Sequence, residues 1–175
     1  WLGTQGGGAN LFNNESFVNY TDKDGITSKN ISCIDIDAND NYYLGTPGTG
    51  INLFDLKSNA FTTIKGIKEI EQINIFCITH KPNGEIWIGA QEGVYVIEKL
   101  KNNSFKLLKA YEKIADTQIN AATKIIHDKK GNTWIASYGS GVYKINGKEE
   151  ANFSTQTGFV SDNILTVFED KKGII

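Results

Sequence analysis

The chain has 175 residues, 39% hydrophobic and 22% charged, with 18 glycines and two prolines; this excludes disorder and collagen and leaves a turn-rich globular chain able to bury a core without disulfides. Net charge is −2 and every cation is a lysine, spread from Lys23 to Lys172, so no nucleic-acid footprint is expected and phosphoryl chemistry, which favours arginine clamps, is disfavoured. Neither a run of 18 apolar residues nor a basic, apolar leader is present, and a chain that opens on Trp1 without any methionine reads as a piece of a longer protein.

In chain order, Trp1-Leu-Gly-Thr4 leads through Gln5-Gly-Gly-Gly8 into Gly8-Ala-Asn-Leu-Phe12, whose apolar alternation predicts a strand, and Phe17 marks a second. A polar stretch ends at Asn30, the β-branched segment Ile31-Ser-Cys-Ile34 predicts a third strand, and Asp37-Ala-Asn-Asp40 predicts a tight turn. The pattern then starts again at Tyr43-Leu-Gly-Thr46, at Trp87-Ile-Gly-Ala90 and at Trp134-Ile-Ala-Ser137, 42, 44 and 47 residues apart. Each restart is followed by a glycine-led strand (Gly50, Gly93, Gly141), by an aromatic (Phe61, Phe105, Phe153), and by a β-branched strand (Ile75–Ile78, Thr123–Ile126, Ile164–Val167) with its polar turn. The longest polar stretch, 109–120, reads as a loop insertion with room for a helical turn.

Four short antiparallel strands recurring every 42 to 47 residues cannot bury both sheet faces alone, whereas radially stacked sheets can. The fold class is therefore all-β, a β-propeller of four consecutive four-stranded blade repeats, approximately 1–42, 43–86, 87–133 and 134–175. Either these close into a small ring, with Ile164–Val167 pairing against the first repeat, or they belong to a larger ring; the second arrangement is favoured.

Several linked motifs carry a resemblance over essentially the whole chain. Asp24-Gly-Ile-Thr-Ser-Lys-Asn30, Gly158-Phe-Val-Ser-Asp-Asn163, Asp128-Lys-Lys-Gly-Asn-Thr-Trp-Ile135 and the Gly-Val-Tyr runs resemble the two-component regulator propeller repeat, with Tyr43 and Ala136 departing from its usual Trp and Gly. The resemblance implies seven-bladed propellers on the periplasmic or extracellular side of Bacteroidetes hybrid two-component proteins, where they detect oligosaccharides. It also implies further blades and membrane-linked signalling domains in the parent chain, with a second copy of the chain as another candidate partner. The competing function is a structural or partner-binding propeller of a secreted or surface assembly.

The chemistry-bearing candidates are few. The glycine-rich stretches 5–8 and 45–50 lead into strands rather than helices and read as turns, not phosphate loops. His80 and His127 share a repeat position with Ile36 and Glu169, which gives no metal set, and Cys33 and Cys77 read as free, buried thiols. The turn at Asp128–Trp134 is similar to the structural turn motif of sialidase propellers and implies no glycoside hydrolysis. The five sequons (Asn14, Asn19, Asn30, Asn102 and Asn152) are expected by chance in so Asn-rich a chain. No catalytic residue, metal or cofactor is predicted. Asn30, Asn74, Asn120 and Asn163 recur where each β-branched strand begins, near the mouth of the central channel, with amides suited to loop capping or to ligand hydroxyls. A specific ligand site is asymmetric, so Tyr111, Tyr138 and Phe159, on the same face, are the candidate sugar-stacking rings.

Overall fold

The computed structural model describes residues 1–175. Its strands, in chain order, are β1 (Leu2–Gly3), β2 (Ala9–Phe12), β3 (Phe17–Tyr20), β4 (Cys33–Ile36), β5 (Asn41–Gly45), β6 (Ile51–Asp55), β7 (Ala60–Thr63), β8 (Ile75–His80), β9 (Glu85–Ala90), β10 (Gly93–Lys99) and β11 (Phe105–Tyr111). They continue through β12 (Lys113–Ile114), β13 (Thr117–Gln118), β14 (Ala121–His127), β15 (Thr133–Tyr138), β16 (Gly141–Asn146) and β17 (Glu149–Phe153); one helical turn, α1 (Lys68–Glu71), joins β7 to β8. All pairings are antiparallel between neighbours in sequence: a three-stranded sheet β1-β2-β3, four-stranded sheets β4-β5-β6-β7, β8-β9-β10-β11 and β14-β15-β16-β17, and the small hairpin β12-β13.

The period-2 alternation of each strand divides its side chains between two interfaces. In β9, Ile86, Ile88 and Ala90 join a core with Tyr43, Ile51 and Leu53 of the second sheet. Trp87, between them in sequence, joins Ile125, Ile135 and Tyr143 of the last sheet. Leu44 and Phe54 of the second sheet turn the other way, onto Ala9, with Trp1 and Tyr20 packed alongside. Consecutive sheets are thus stacked face to face, each apolar on both sides, which is the packing expected of blades.

The glycine of the Trp-x-Gly motif sits where the next blade's inner strand crosses. A Cβ built on Gly45 lies 2.6 Å from Ile75 Cγ2 and 2.5 Å from Cys33 Sγ, and one on Gly89 lies 2.5 Å from both Ala122 O and Cys77 Sγ. Inner strands also bond directly to the neighbouring blade: Ile31 N donates to Thr4 O at 3.0 Å, Ile75 N to Thr46 O at 3.2 Å, and Ile164 N to Ser137 O at 3.0 Å. Thr123 Oγ1 donates to Ile164 O at 2.8 Å.

Two expectations are revised, the strand at Ile164–Val167 and the helical turn within 109–120. Ile164–Val167 does not form a strand: it lies extended along the last sheet, joined there by the Tyr138–Asn163 bridge, and does not pair with β1. The Asp170–Gly173 turn follows it, with Asp170 N donating to Ile174 O as Asp128 N does to Asn132 O in the preceding blade. The chain is therefore an open arc of three four-stranded blades behind a three-stranded one. The polar stretch 109–120 holds no helical turn. It continues β11 and then forms the hairpin β12-β13, whose central residues Ala115 (φ 48°) and Asp116 (φ 59°) are both left-handed, as a two-residue type I′ turn requires. Ile114 and Ile119, each 1% exposed, pin it to the core. The helical turn lies instead at α1, where Ile67 and Ile70 are buried.

Because the crossing point at Gly89 leaves no space, Gly89→Ala is expected to lower the unfolding free energy by about 2 kcal/mol through overpacking, read as a lower urea midpoint with an unchanged slope.

Candidate functional site

Antiparallel pairing sends alternate connections to opposite faces of the arc. One face carries the starts of the inner strands, with Asn30, Asn74, Asn120 and Asn163, and the glycine-rich turns at 5–8 and 46–50. The opposite face carries the Asp37–Asp40, Lys81–Gly84 and Asp128–Gly131 turns.

On the first face, three of the seven candidate residues come together. Tyr138, 52% exposed, pairs in register with Ala121 and bridges to Asn163. Asn120 Nδ2 donates to Gly139 O at 3.4 Å. Asn120 also lines a polar depression of about 280 Å³ with Gln91, Glu92, Tyr95, Glu112 and Gln118. Asn74 Nδ2 donates to Gln91 Oε1 on the rim of the same depression. Asn30 stands apart, exposed, with its backbone N–H donated to Ser28 Oγ at 3.1 Å. The loop capping expected of these positions is carried largely by the residues just before them: Gly6 and Gly8 N–H donate to Lys29 O, and Gly139 and Gly141 N–H to Asp162 O.

Tyr111 and Phe159 lie elsewhere. Tyr111 is 8% exposed, stacked on Trp87 with ring centroids 5.7 Å apart and covered by Lys109 Nζ at 4.0 Å. The register explains this: Tyr111 pairs with Val94 as Tyr20 pairs with Ala9 and Phe153 with Val142. All three rings therefore occupy one repeat position and stack on the leading Trp of their own blade (Trp87, Trp1 and Trp134). The third hairpin has longer strands and a longer loop as well as a bulge between Val96 and Ile97, and together these shift the sequence spacing and hide that equivalence. Phe159, 41% exposed, lies against Phe153 on the apolar flank of the last blade, away from Asn120.

On the opposite face the turn carboxylates are structural. Asp128 accepts from Lys130 N (2.9 Å), Asn132 N (2.7 Å), Asn132 Nδ2 (2.6 Å) and Trp134 Nε1 (2.8 Å). Asp37 does the same for Asn39 N, Asn41 N and Nδ2, and Tyr43 Oη. In the third blade, where Lys81 replaces the aspartate, Glu85 Oε2 takes over the Trp87 Nε1 bond at 2.9 Å. Burial raises the Asp37 and Asp128 carboxyls, but the hydrogen bonds from Asn41, and from Asn132 and Trp134, outweigh it and hold both below the ordinary value.

The two histidines and Glu169 are each committed separately. His80 Nδ1 is 2.6 Å from Asp35 Oδ2 across the blade interface. His127 Nδ1 is 3.0 Å from Thr133 Oγ1 with its ring edge on Trp87, and Glu169 accepts the Lys129 N–H. Burial, reinforced by Lys81, lowers His127 to about 4. Cys33 and Cys77 are free thiols raised to about 12 by burial. The Asp35–His80 pair escapes sequence reasoning, although a signal exists: Asp35 interrupts an otherwise apolar inner strand.

No protein-family model and no curated protein matches the sequence. Solved structures do. The extracellular domain of the hybrid two-component system BT4673 from B. thetaiotaomicron matches over 92% of the chain at TM-score 0.72 and 13% identity. That of BT3049 from the same organism matches over 99% at TM-score 0.58 and 21% identity. A virginiamycin B lyase from Staphylococcus aureus, solved with quinupristin, matches over 85% at TM-score 0.61 and 13% identity, the match spanning 49% of the lyase. The chain spans 22% and 29% of the two extracellular domains. At such identities the likeness establishes the fold: stacked blades of a β-propeller.

These pKa directions fix a two-phase acid response. Between pH 6.5 and about 4 the unfolded chain protonates His127 while the folded chain keeps it neutral, so the unfolded state binds more protons and stability falls as the pH is lowered. Asp37 and Asp128 stabilise above their ordinary value and lose that contribution as pH drops through their lowered folded values, below 3.8. His127→Gln is expected to flatten the first phase and Asp128→Asn to weaken the second, in urea unfolding measured from pH 7 to pH 2.5.

Proposed function

We propose that the chain is a propeller sector of the sensor region of a hybrid two-component regulator. On this reading it lies on the extracytoplasmic side, and it detects an oligosaccharide whose presence is passed to a kinase elsewhere in the parent protein. The observation that carries the reading is the convergence of Asn120, Tyr138 and Asn163 beside an open polar depression. Amides there match sugar hydroxyls and an exposed ring matches the apolar face of a pyranose. The structural likeness to two extracellular domains of hybrid two-component systems supports the same reading. The role proposed is binding without turnover; Glu92 and Glu112, the two carboxylates of this depression, are the groups that a glycan-cleavage test addresses.

A ligand that binds only the folded state raises its melting temperature. In a screen of the protein against neutral and acidic oligosaccharides, at least one sugar is expected to do so, with Tyr138→Ala and Asn120→Ala each weakening its affinity by roughly tenfold. No shift with any sugar would instead favour a partner-binding scaffold, and cleavage of a bound glycan would make the protein an enzyme.

A further inference from the structure

On the face opposite Asn120 and Tyr138, the turns of the second and third blades enclose a groove of about 730 Å³, within the size range of small-molecule sites. Tyr43, His80 and Ile86 are among its lining residues. Its charge is lopsided. Lys57, Lys99 and Lys101 line it from two different turns, and none of them forms an ion pair. A fourth lysine, Lys81, lies over the Trp87 ring at 4.4 Å and 3.7 Å from Glu85.

The carboxylates nearby are mostly occupied. Asp37, the acid in the lining, has both oxygens engaged by its own turn. Of the two acids in the adjoining depression, Asp55 accepts the Lys57 and Ser58 N–H groups and Asp40 is exposed on the left-handed corner of its turn. Lys57, Lys99 and Lys101 thus line the groove without forming an ion pair, while the unengaged carboxylate of Asp40 lies in the adjoining depression that Lys57 and Lys99 also line.

A second observation points to a ligand. His80 gives Nδ1 to Asp35, and its Nε2 is buried without any hydrogen-bond partner. With Asp35 accepting the Nδ1 proton, Nε2 is left as an acceptor, and a ligand hydroxyl donating to it completes a carboxylate–imidazole–ligand chain and removes the cost of an unpaired buried polar atom. Asn39 and Asn103, also in the lining, make no side-chain hydrogen bonds within the protein, which leaves their amides for neutral hydroxyls.

We infer that this groove binds an acidic oligosaccharide, its carboxylate or sulfate held by Lys57, Lys99 and Lys101 and one of its hydroxyls donating to His80 Nε2. The anion preference follows from the lysines, while the sugar class rests on the sensor reading above. The test is calorimetric titration of the full protein at low ionic strength with trigalacturonate, a chondroitin 6-sulfate disaccharide, neutral cellotriose and sodium sulfate. At least one acidic sugar is expected to bind more tightly than both cellotriose and sulfate. Lys99→Gln, at the half-buried end of β10, together with Lys101→Gln on the exposed turn after it, is expected to weaken it by about tenfold or more. His80→Gln is expected to weaken it as well, whereas Tyr138→Ala leaves it unchanged. Acidic sugars that bind no better than cellotriose, or whose affinity ignores the lysine substitutions, overturn the inference. If a neutral sugar still binds in a Tyr138-dependent way, the sensor reading survives that result; if no sugar binds in either place, both fall.

Discussion

Every four-stranded sheet in this chain has two apolar faces, and leaving either in water costs the burial of the leucines, isoleucines and aromatics it carries. Stacking each sheet on the next is the single arrangement here that covers both. The alternation in β9, with Ile86 and Ile88 toward one neighbour and Trp87 toward the other, expresses that constraint in consecutive residues. The rest of the structure depends on it. Glycine at positions 45 and 89 lets the next inner strand cross, inner-strand N–H groups bond backward to the preceding blade, and the leading Trp of three blades stacks on the last aromatic of its own sheet.

The same constraint decides where chemistry is available. Because sheet faces are committed to packing, free polar groups are confined to the strand connections at the two ends. One end repeats an asparagine at each inner strand but is broken in symmetry by Tyr138 and by the β12-β13 hairpin. The other is built from turns whose carboxylates are consumed in holding their own backbone and the indole or phenol beside it. Between the second and third blades the polar side chains that remain unengaged on that end are lysines, two asparagine amides and the far nitrogen of His80.

Much of the fold was legible because its signals are local. Alternating runs after Gly50, Gly93 and Gly141 became β6, β10 and β16, and the Asp-led turns are reversals closed by Asp37 and Asp128. What was illegible depends on partners distant in sequence. The hairpin at Ala115-Asp116 carries no glycine or asparagine to announce its left-handed turn, and α1 is fixed by burial of Ile67 and Ile70 rather than by any helical period. Ile164–Val167 has the composition of an inner strand, but composition does not reveal whether a strand has a partner. The candidate site was legible in part. Asn120, Tyr138 and Asn163 meet, whereas Tyr111 looked unique because the longer β10-β11 hairpin and its bulge concealed its equivalence to Tyr20 and Phe153. The Asp35–His80 contact joins residues 45 apart through blade stacking alone.

The account stands on mutual burial of blade faces, and native-state hydrogen exchange measures that burial residue by residue. The middle of the arc, covered on both sides, is expected to hold the slowest amides, in β8, β9 and β10. Amides of β3 and of 164–167, whose Phe17 and Leu165 are 58% and 67% exposed, are expected to exchange fastest. Uniform protection across all four sheets, or slowest exchange at the two flanks, would contradict a structure held together by blade-on-blade packing.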